Sequence, residues 1–275
     1  MIRLIRIEWL KLRNYKIFWI LLSLYLLAIV IICSGGVALL EWLKNEGAEF
    51  NGVDPTIIPI YDFPDIWQNM TWIASFLKII PAFIVIISMT NETTYRTNRQ
   101  NIIDGLSKNE FILSKFSLIF CLSLISTLVI FVNGLISGLI HSGVTDLNSI
   151  FTDIEFLGAF FIQNIIFLFF AFLLASMMRK AGFVIVLLFM YSLIFEPVIA
   201  VLFEHEPYLS QEVGLKHIAP FLPVNAVSNL IRVPFQRYVF MEIQNYIALK
   251  DLSIAIGWLI AFSGISYWWF KRKDL

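Results

Sequence analysis

Two groups of residues in this 275-residue chain stand where charge could do work: lone ionisable groups inside apolar runs, and one dense polar stretch between two such runs. Lys78 and Glu196 form the first group. A charge inside a bilayer is costly and normally faces a bundle interior, a cavity or an opposite charge. The expectation is therefore an intramembrane Lys78–Glu196 ion pair. The alternative is that Lys78 snorkels outward while Glu196 meets water or a polar group near its helix end. The second group lies in NETTYRTNRQNIIDGLSKNE, residues 91–110. Residues 92–104 contain no Gly or Pro, Gly105 is placed to end a helix, and Ser107 with Glu110 has the spacing of a capping box before the apolar run at Phe111. A loop that only reverses direction needs a few residues. One displaying Glu92, Tyr95, Arg96, Arg99, Gln100 and Asp104 before Gly105 is expected to touch a partner.

Bond-making chemistry finds no comparable support. No Gly-x-x-x-x-Gly-Lys-Ser/Thr stretch occurs, so no phosphate-cradling loop of that type is present. His141, His205 and His217 lack a His-Glu-x-x-His spacing, and Glu204-His205-Glu206 reads as a solvated acidic turn, so neither catalytic nor metal-binding residues are expected. Ser137 with His141 one turn later reads as packing, because no base-orienting group accompanies them. Cys33 and Cys121 fall in apolar runs and behave as small hydrophobes. No ladder of buried acids or arginines suggests a self-contained pump.

The composition explains where these groups must sit. The chain is 59% hydrophobic and 15% charged, with 26 Phe and 8 Trp, against about 45–50% and about 25% in soluble domains. A soluble fold, a disordered chain, a disulfide scaffold and a nucleic-acid binder are all disfavoured. An all-α polytopic membrane protein remains. Crossing a bilayer core of about 30 Å takes roughly 20 apolar residues of helix, and six stretches qualify: about 17–40, 71–90, 116–140, 156–178, 182–203 and 252–270. They make one transmembrane domain. Around them lie an interfacial segment at 1–16, the polar region at 91–110 and an outer segment at 204–251.

The net charge of zero hides an uneven distribution. Arg3, Arg6, Lys11, Arg13, Lys16, Arg96, Arg99, Lys108, Lys115, Arg179, Lys180, Lys271, Arg272 and Lys273 fall on one side, and most acids on the other. Excess Lys and Arg marks the cytoplasm, so both termini and the 91–110 loop are expected there. In the N-terminal segment, Ile2, Ile5, Trp9 and Leu12 share one helical arc, which suits a helix lying in the inner interface. Outside, Trp42, Phe50, Tyr61, Phe63 and Trp67 read as an interfacial aromatic belt. Within 220–234 a short helix is expected from Ala226, capped by Asn225, in a segment dipping back toward the membrane. Gly134 and Gly138 would let helices approach closely.

This layout, with Asn91-Glu92, Tyr95-Arg96, Arg99-Gln100, Gly105-Leu106-Ser107, Glu110-Phe111 and Lys115 in the loop, resembles the transmembrane subunit of ATP-binding-cassette exporters of the type-2 permease class. The resemblance implies that residues 92–104 are a coupling helix docking in a separate ATPase, with Glu92, Tyr95, Arg96, Arg99, Gln100, Asp104 and Gly105 as the coupling residues. It implies an elbow helix at 1–16 and re-entrant helices within 220–234. It further implies no cofactor on this chain, ATP and Mg on the partner ATPase, and a second permease copy or paralogue among membrane lipids. The cargo would be a hydrophobic or amphipathic substrate moved outward. A non-transporting membrane anchor or assembly factor, or a membrane-embedded enzyme, are the other readings.

Overall fold

The computed structural model describes residues 2–36, 38, 42, 45–46, 60–144, 146–205, 217–234 and 246–272. Phe50 of the expected aromatic belt and residues 206–216 and 235–245 of the expected outer segment lie outside them. The described chain is helical with no strand, and six helices are long and apolar enough to cross a membrane: Lys16–Ser34, Ile66–Thr94, Lys108–His141, Leu147–Met177, Ala181–Phe203 and Leu249–Arg272. Backbone groups have no water to bond in hydrocarbon, so segments of this composition satisfy them internally as helix.

In chain order the helices are α1 (Ile2–Arg13), α2 (Lys16–Ser34), α3 (Ile66–Ser75), α4 (Ile79–Thr94), α5 (Thr97–Ile103), α6 (Lys108–His141), α7 (Leu147–Phe151), α8 (Glu155–Met177), α9 (Ala181–Met190), α10 (Glu196–His205), α11 (Pro223–Ser228) and α12 (Leu249–Arg272). Three spans are internally irregular: in the fourth, residues 152–154 separate α7 from α8, with Asp153 at φ 63°. A 3₁₀ turn at Phe76–Lys78 joins α3 to α4, and a π turn at Tyr191–Phe195 joins α9 to α10. The helix of the first span runs Lys16–Ser34, and that of the second begins at Ile66.

The α8 helix is the hub, packing against α3, α4, α6, α11 and α12. In its most apolar stretch 72% of residues are buried, against 22% in the fifth span, so α8 is enclosed by protein and α9–α10 is peripheral. The hydroxyl of Ser107 accepts from the Glu110 amide at 3.2 Å while the Glu110 carboxylate accepts from the Ser107 amide at 2.9 Å, forming the expected capping box on α6. With 34 residues α6 is about 51 Å long, more than a bilayer core needs.

One expectation about faces is corrected. Tyr61, Phe63 and Trp67 point into the bundle rather than forming a belt, and all three are buried. A Cβ added to Gly134 would meet the Trp67 ring at 2.8 Å, and one added to Gly138 would collide with the Phe63 ring. The small-residue stripe of α6 thus receives aromatic side chains from the segment leading into α3. On α1, the protein-facing stripe is Leu4, Glu8 and Leu12, whereas Ile5 and Trp9 are exposed. Of the expected arc, Ile5 and Trp9 face outward and Leu12 is buried, while Leu4, which lies off that arc, packs against protein. The outward Ile5, Trp9 and Leu10 leave apolar surface to a membrane interface.

Candidate functional site

At one end of the bundle four charges converge on α6. Lys115 is 2% exposed, yet its ammonium donates to Glu8 Oε2 on α1 at 2.8 Å, to Glu92 Oε1 on α4 at 2.8 Å and to Ser88 Oγ at 3.0 Å. Lys11 completes the ring, 3.0 Å from Glu92 Oε1 and 3.3 Å from Glu8 Oε1. Ser114 donates to Glu8 Oε1 at 2.9 Å. Each carboxylate in this dry setting is therefore met by cations, which is the condition for burying a charge. Burial pushes the Glu8 carboxyl up, but the Lys115 and Lys11 ammoniums, with hydrogen bonds from Lys115 and Ser114, hold it below its ordinary value.

Beneath the cluster, Phe111 stacks on Phe270 of α12 with centroids 4.9 Å apart, and Asn91 donates to the Tyr15 hydroxyl at 3.0 Å. The cluster thus ties α1, the end of α4 and the start of α6 into one unit, with the end of α12 against it.

The polar loop begins where this unit ends. Residues 92–104 do not form one helix: α4 continues to Thr94, the chain breaks at Tyr95–Arg96, and α5 spans only Thr97–Ile103. Arg96 adopts φ 56°, a left-handed conformation that a side-chain-bearing residue seldom takes. Glu92 therefore belongs to α4, where it is buried, and does not present itself with the remaining loop residues. Tyr95 and Ile103 are among the most exposed large side chains, at 75% and 77%, and Arg96, Arg99, Gln100, Asp104 and Gly105 are exposed beside them. Gln100 donates to Asp104 at 3.0 Å. Gly105, at φ 97°, closes α5 as expected, with the Leu106 amide reaching back to the Asn101 carbonyl. Thr94 donates to the Arg179 carbonyl at 3.0 Å, so the turn between α8 and α9 lies at this same end.

The participation of Glu8 and Lys115 in a buried network is not anticipated by the sequence reading, in which Lys115 is an orientation charge and part of the loop pattern behind the family resemblance. The available signal was positional. Glu8 lies midway between Leu4 and Leu12 at i±4, and Lys115 follows Phe111 by one turn inside an apolar run.

Near the opposite end of the second span lies a cavity of about 320 Å³, bounded by Lys78, Phe167, Ser192, Glu196, Val224 and Asn225 among others. Lys78 and Glu196 both face it but do not pair: no ion pair or hydrogen bond joins Lys78 to any described residue, and its ammonium sits 5.4 Å from the Phe167 ring centroid. The expected intramembrane salt bridge is thus replaced by a shared cavity. Glu196, 1% exposed, accepts at Oε1 from the Asn225 backbone amide at 2.7 Å, with the Tyr191 hydroxyl and the Val224 amide also directed toward the carboxylate, while Oε2 makes no close hydrogen bond. The backbone of 217–234 explains this geometry. Pro223 starts α11, so its cap is Leu222 rather than Asn225, and the Asn225 side chain donates to the Ala219 carbonyl at 2.8 Å. The helix buries Val224 and Val227 in the bundle. Trp258 of α12 anchors the segment by donating to the Phe221 carbonyl at 2.9 Å. Among the described residues no group of His, Cys, Asp or Glu is arranged to hold a metal.

No curated protein matches the chain. The family described as "ABC-2 family transporter protein" matches it over residues 2–275, nearly its whole length. With six apolar helices, an exposed polar loop on a buried charge cluster and this match, the chain belongs to the ABC-2 family of transporter proteins, as a multi-pass membrane permease subunit.

Proposed function

We propose that this permease serves an ATP-driven exporter whose ATPase is a separate subunit, and that Tyr95–Gly105 is the surface that docks on it. The observation that carries the reading is mechanical. The exposed α5 packs against α4 and α6, which carry Glu92 and Lys115, and the ion pairs with Glu8 tie both helices to α1, so a displacement of α5 reaches all three. Interfaces of packed helices shift as near-rigid bodies rather than deforming smoothly. The ATPase must also bind one arrangement of the bundle more tightly than another, since a partner without differential affinity moves nothing. ATP and Mg belong to that partner.

In this reading α1 is the elbow helix and 217–234 is a re-entrant segment. A second copy or a paralogue completes the permease pair. Both termini and α5 face the cytoplasm across the cell membrane, consistent with the basic residues gathered around them. The cargo is hydrophobic or amphipathic and moves outward.

The test is Arg96→Glu with Arg99→Glu. Both side chains are exposed and neither supports the buried cluster, so membrane insertion and melting temperature are expected to stay unchanged. Co-purification of an ATPase and its stimulated turnover are expected to fall. Unaltered assembly and turnover in this variant would remove the docking assignment and favour a non-transporting anchor.

A further inference from the structure

The cavity between the second span, α8 and α10 combines features that a merely structural void has no need of. It holds one potential cation and one potential anion that do not satisfy each other. A carboxylate oxygen that is buried and unpartnered costs free energy unless something occupies the space before it. Two irregular turns border this same space: the 3₁₀ turn carries Lys78, and the π turn ends immediately before Glu196. Such π bulges are frequent at functional sites. At about 320 Å³ the volume falls at the small end of ligand pockets. Two walls differ in character. Glu196, Asn225 and Ser192 lie at the enclosed side, whereas Phe76 and Leu193, at 64% and 54% exposed, form an apolar rim on the bundle surface.

We propose that this cavity binds the headgroup of a zwitterionic lipid bearing a phosphate and a primary ammonium, with its acyl chains leaving across the Phe76–Leu193 rim. Lys78 takes the phosphate as a point cation. The lipid ammonium donates to Glu196 Oε2, the oxygen that makes no close hydrogen bond, while Oε1 stays with the Asn225 amide. A lipid with only an anionic head leaves Glu196 unmatched. A quaternary ammonium has no N–H to donate to Oε2. The cavity therefore selects the phosphoethanolamine type over phosphoglycerol and phosphocholine types. This binding does not depend on ATPase coupling, and the two readings can fail separately.

The experiment uses the full chain, without any ATPase, in nanodiscs containing trace photoactivatable phosphatidylethanolamine, phosphatidylcholine or phosphatidylglycerol, with labelled peptides mapped by mass spectrometry. Label from the ethanolamine lipid is expected on the peptides carrying Phe76 and Leu193, exceeding the other two lipids by about tenfold, the worth of one charge-assisted hydrogen bond. Glu196→Gln is expected to level ethanolamine with glycerol lipid. Lys78→Gln is expected to lower both. Ala200→Phe, which fills the cavity and keeps both charges, is expected to abolish the preference. Should the charge variants fail to fold, competition in the unmodified chain still decides: dihexanoyl phosphatidylethanolamine must displace the label better than dihexanoyl phosphatidylcholine. Equal labelling by all three lipids, or equal displacement by both competitors, means ordinary annular lipid and overturns the proposal.

Discussion

Replacing Lys115 with Met is the sharpest perturbation this structure offers. The side chain length is kept, so packing beside Phe111 is largely preserved, while the charge linking Glu8 and Glu92 disappears. Glu8 is 3% exposed and Glu92 8%, so neither can be rescued by water. Breaking a buried ion pair by removing one partner costs about 3–5 kcal/mol, and here two carboxylates lose it at once, with Lys11 alone left to serve both. Lys11, whose side chain is 28% exposed, provides the control: Lys11→Met is expected to cost less than about 1 kcal/mol. The assay is thermal melting of the purified chain followed by size-exclusion chromatography, with a drop on the order of 10 °C for Lys115→Met and little change for Lys11→Met. Charge reversal adds a geometric test. Exchanging Glu8→Lys with Lys115→Glu does not restore stability, because the new carboxylate at 115 then faces Glu92. Adding Glu92→Lys is expected to recover part of the loss. A melting point for Lys115→Met within a degree of wild type, or full rescue by the two-site exchange, would refute the buried-cluster reasoning.

Because the folded-state pKa of Glu8 is depressed, its contribution to stability is fully present above the ordinary carboxylate value of 4.5 and is lost as pH falls through the lower folded value. Melting temperature should therefore fall more steeply below pH 4.5 in wild type than in Glu8→Gln, whose curve lacks this term; parallel curves would contradict it. On α6, Gly134→Ala and Gly138→Ala drive a methyl into Trp67 and Phe63 and should each cost about 1–3 kcal/mol. Gly257→Ala on α12, where a Cβ meets nothing within 4 Å, should be neutral or stabilise by up to about 1 kcal/mol, all three read by melting temperature. Arg96→Gly suits the left-handed backbone and removes the charge, so it should leave melting unchanged or raised while lowering stimulated ATPase turnover; undiminished turnover would show that this guanidinium is not read by the ATPase.

What could be read from the residues in order was whatever neighbouring residues decide among themselves. Uninterrupted apolar length determines that six segments are helices of spanning size. Ser107 and Glu110 define a helix start, and Gly105 a helix end, through hydrogen bonds and backbone freedom contained within a few residues. The same local logic identified a polar loop between α4 and α6, most of which is exposed from Tyr95 to Gly105. It failed wherever the answer depends on a distant partner. Glu92 looked like a loop residue until α4 carried it under Lys115, and Glu8 looked like a flank charge until α1 turned it toward α6. Tyr61, Phe63 and Trp67 have the composition of an interface belt, but the absence of side chains at Gly134 and Gly138, more than sixty residues away, opens the space that draws Phe63 and Trp67 inward. Lys78 and Glu196 were recognisable as costly intramembrane charges. Whether they neutralise each other or bracket an open cavity depends on two irregular turns and on an amide of α11 that claims one carboxylate oxygen. Helix formation is a short-range consequence of backbone hydrogen bonding in an apolar medium; the face each helix buries is settled only when all the helices pack.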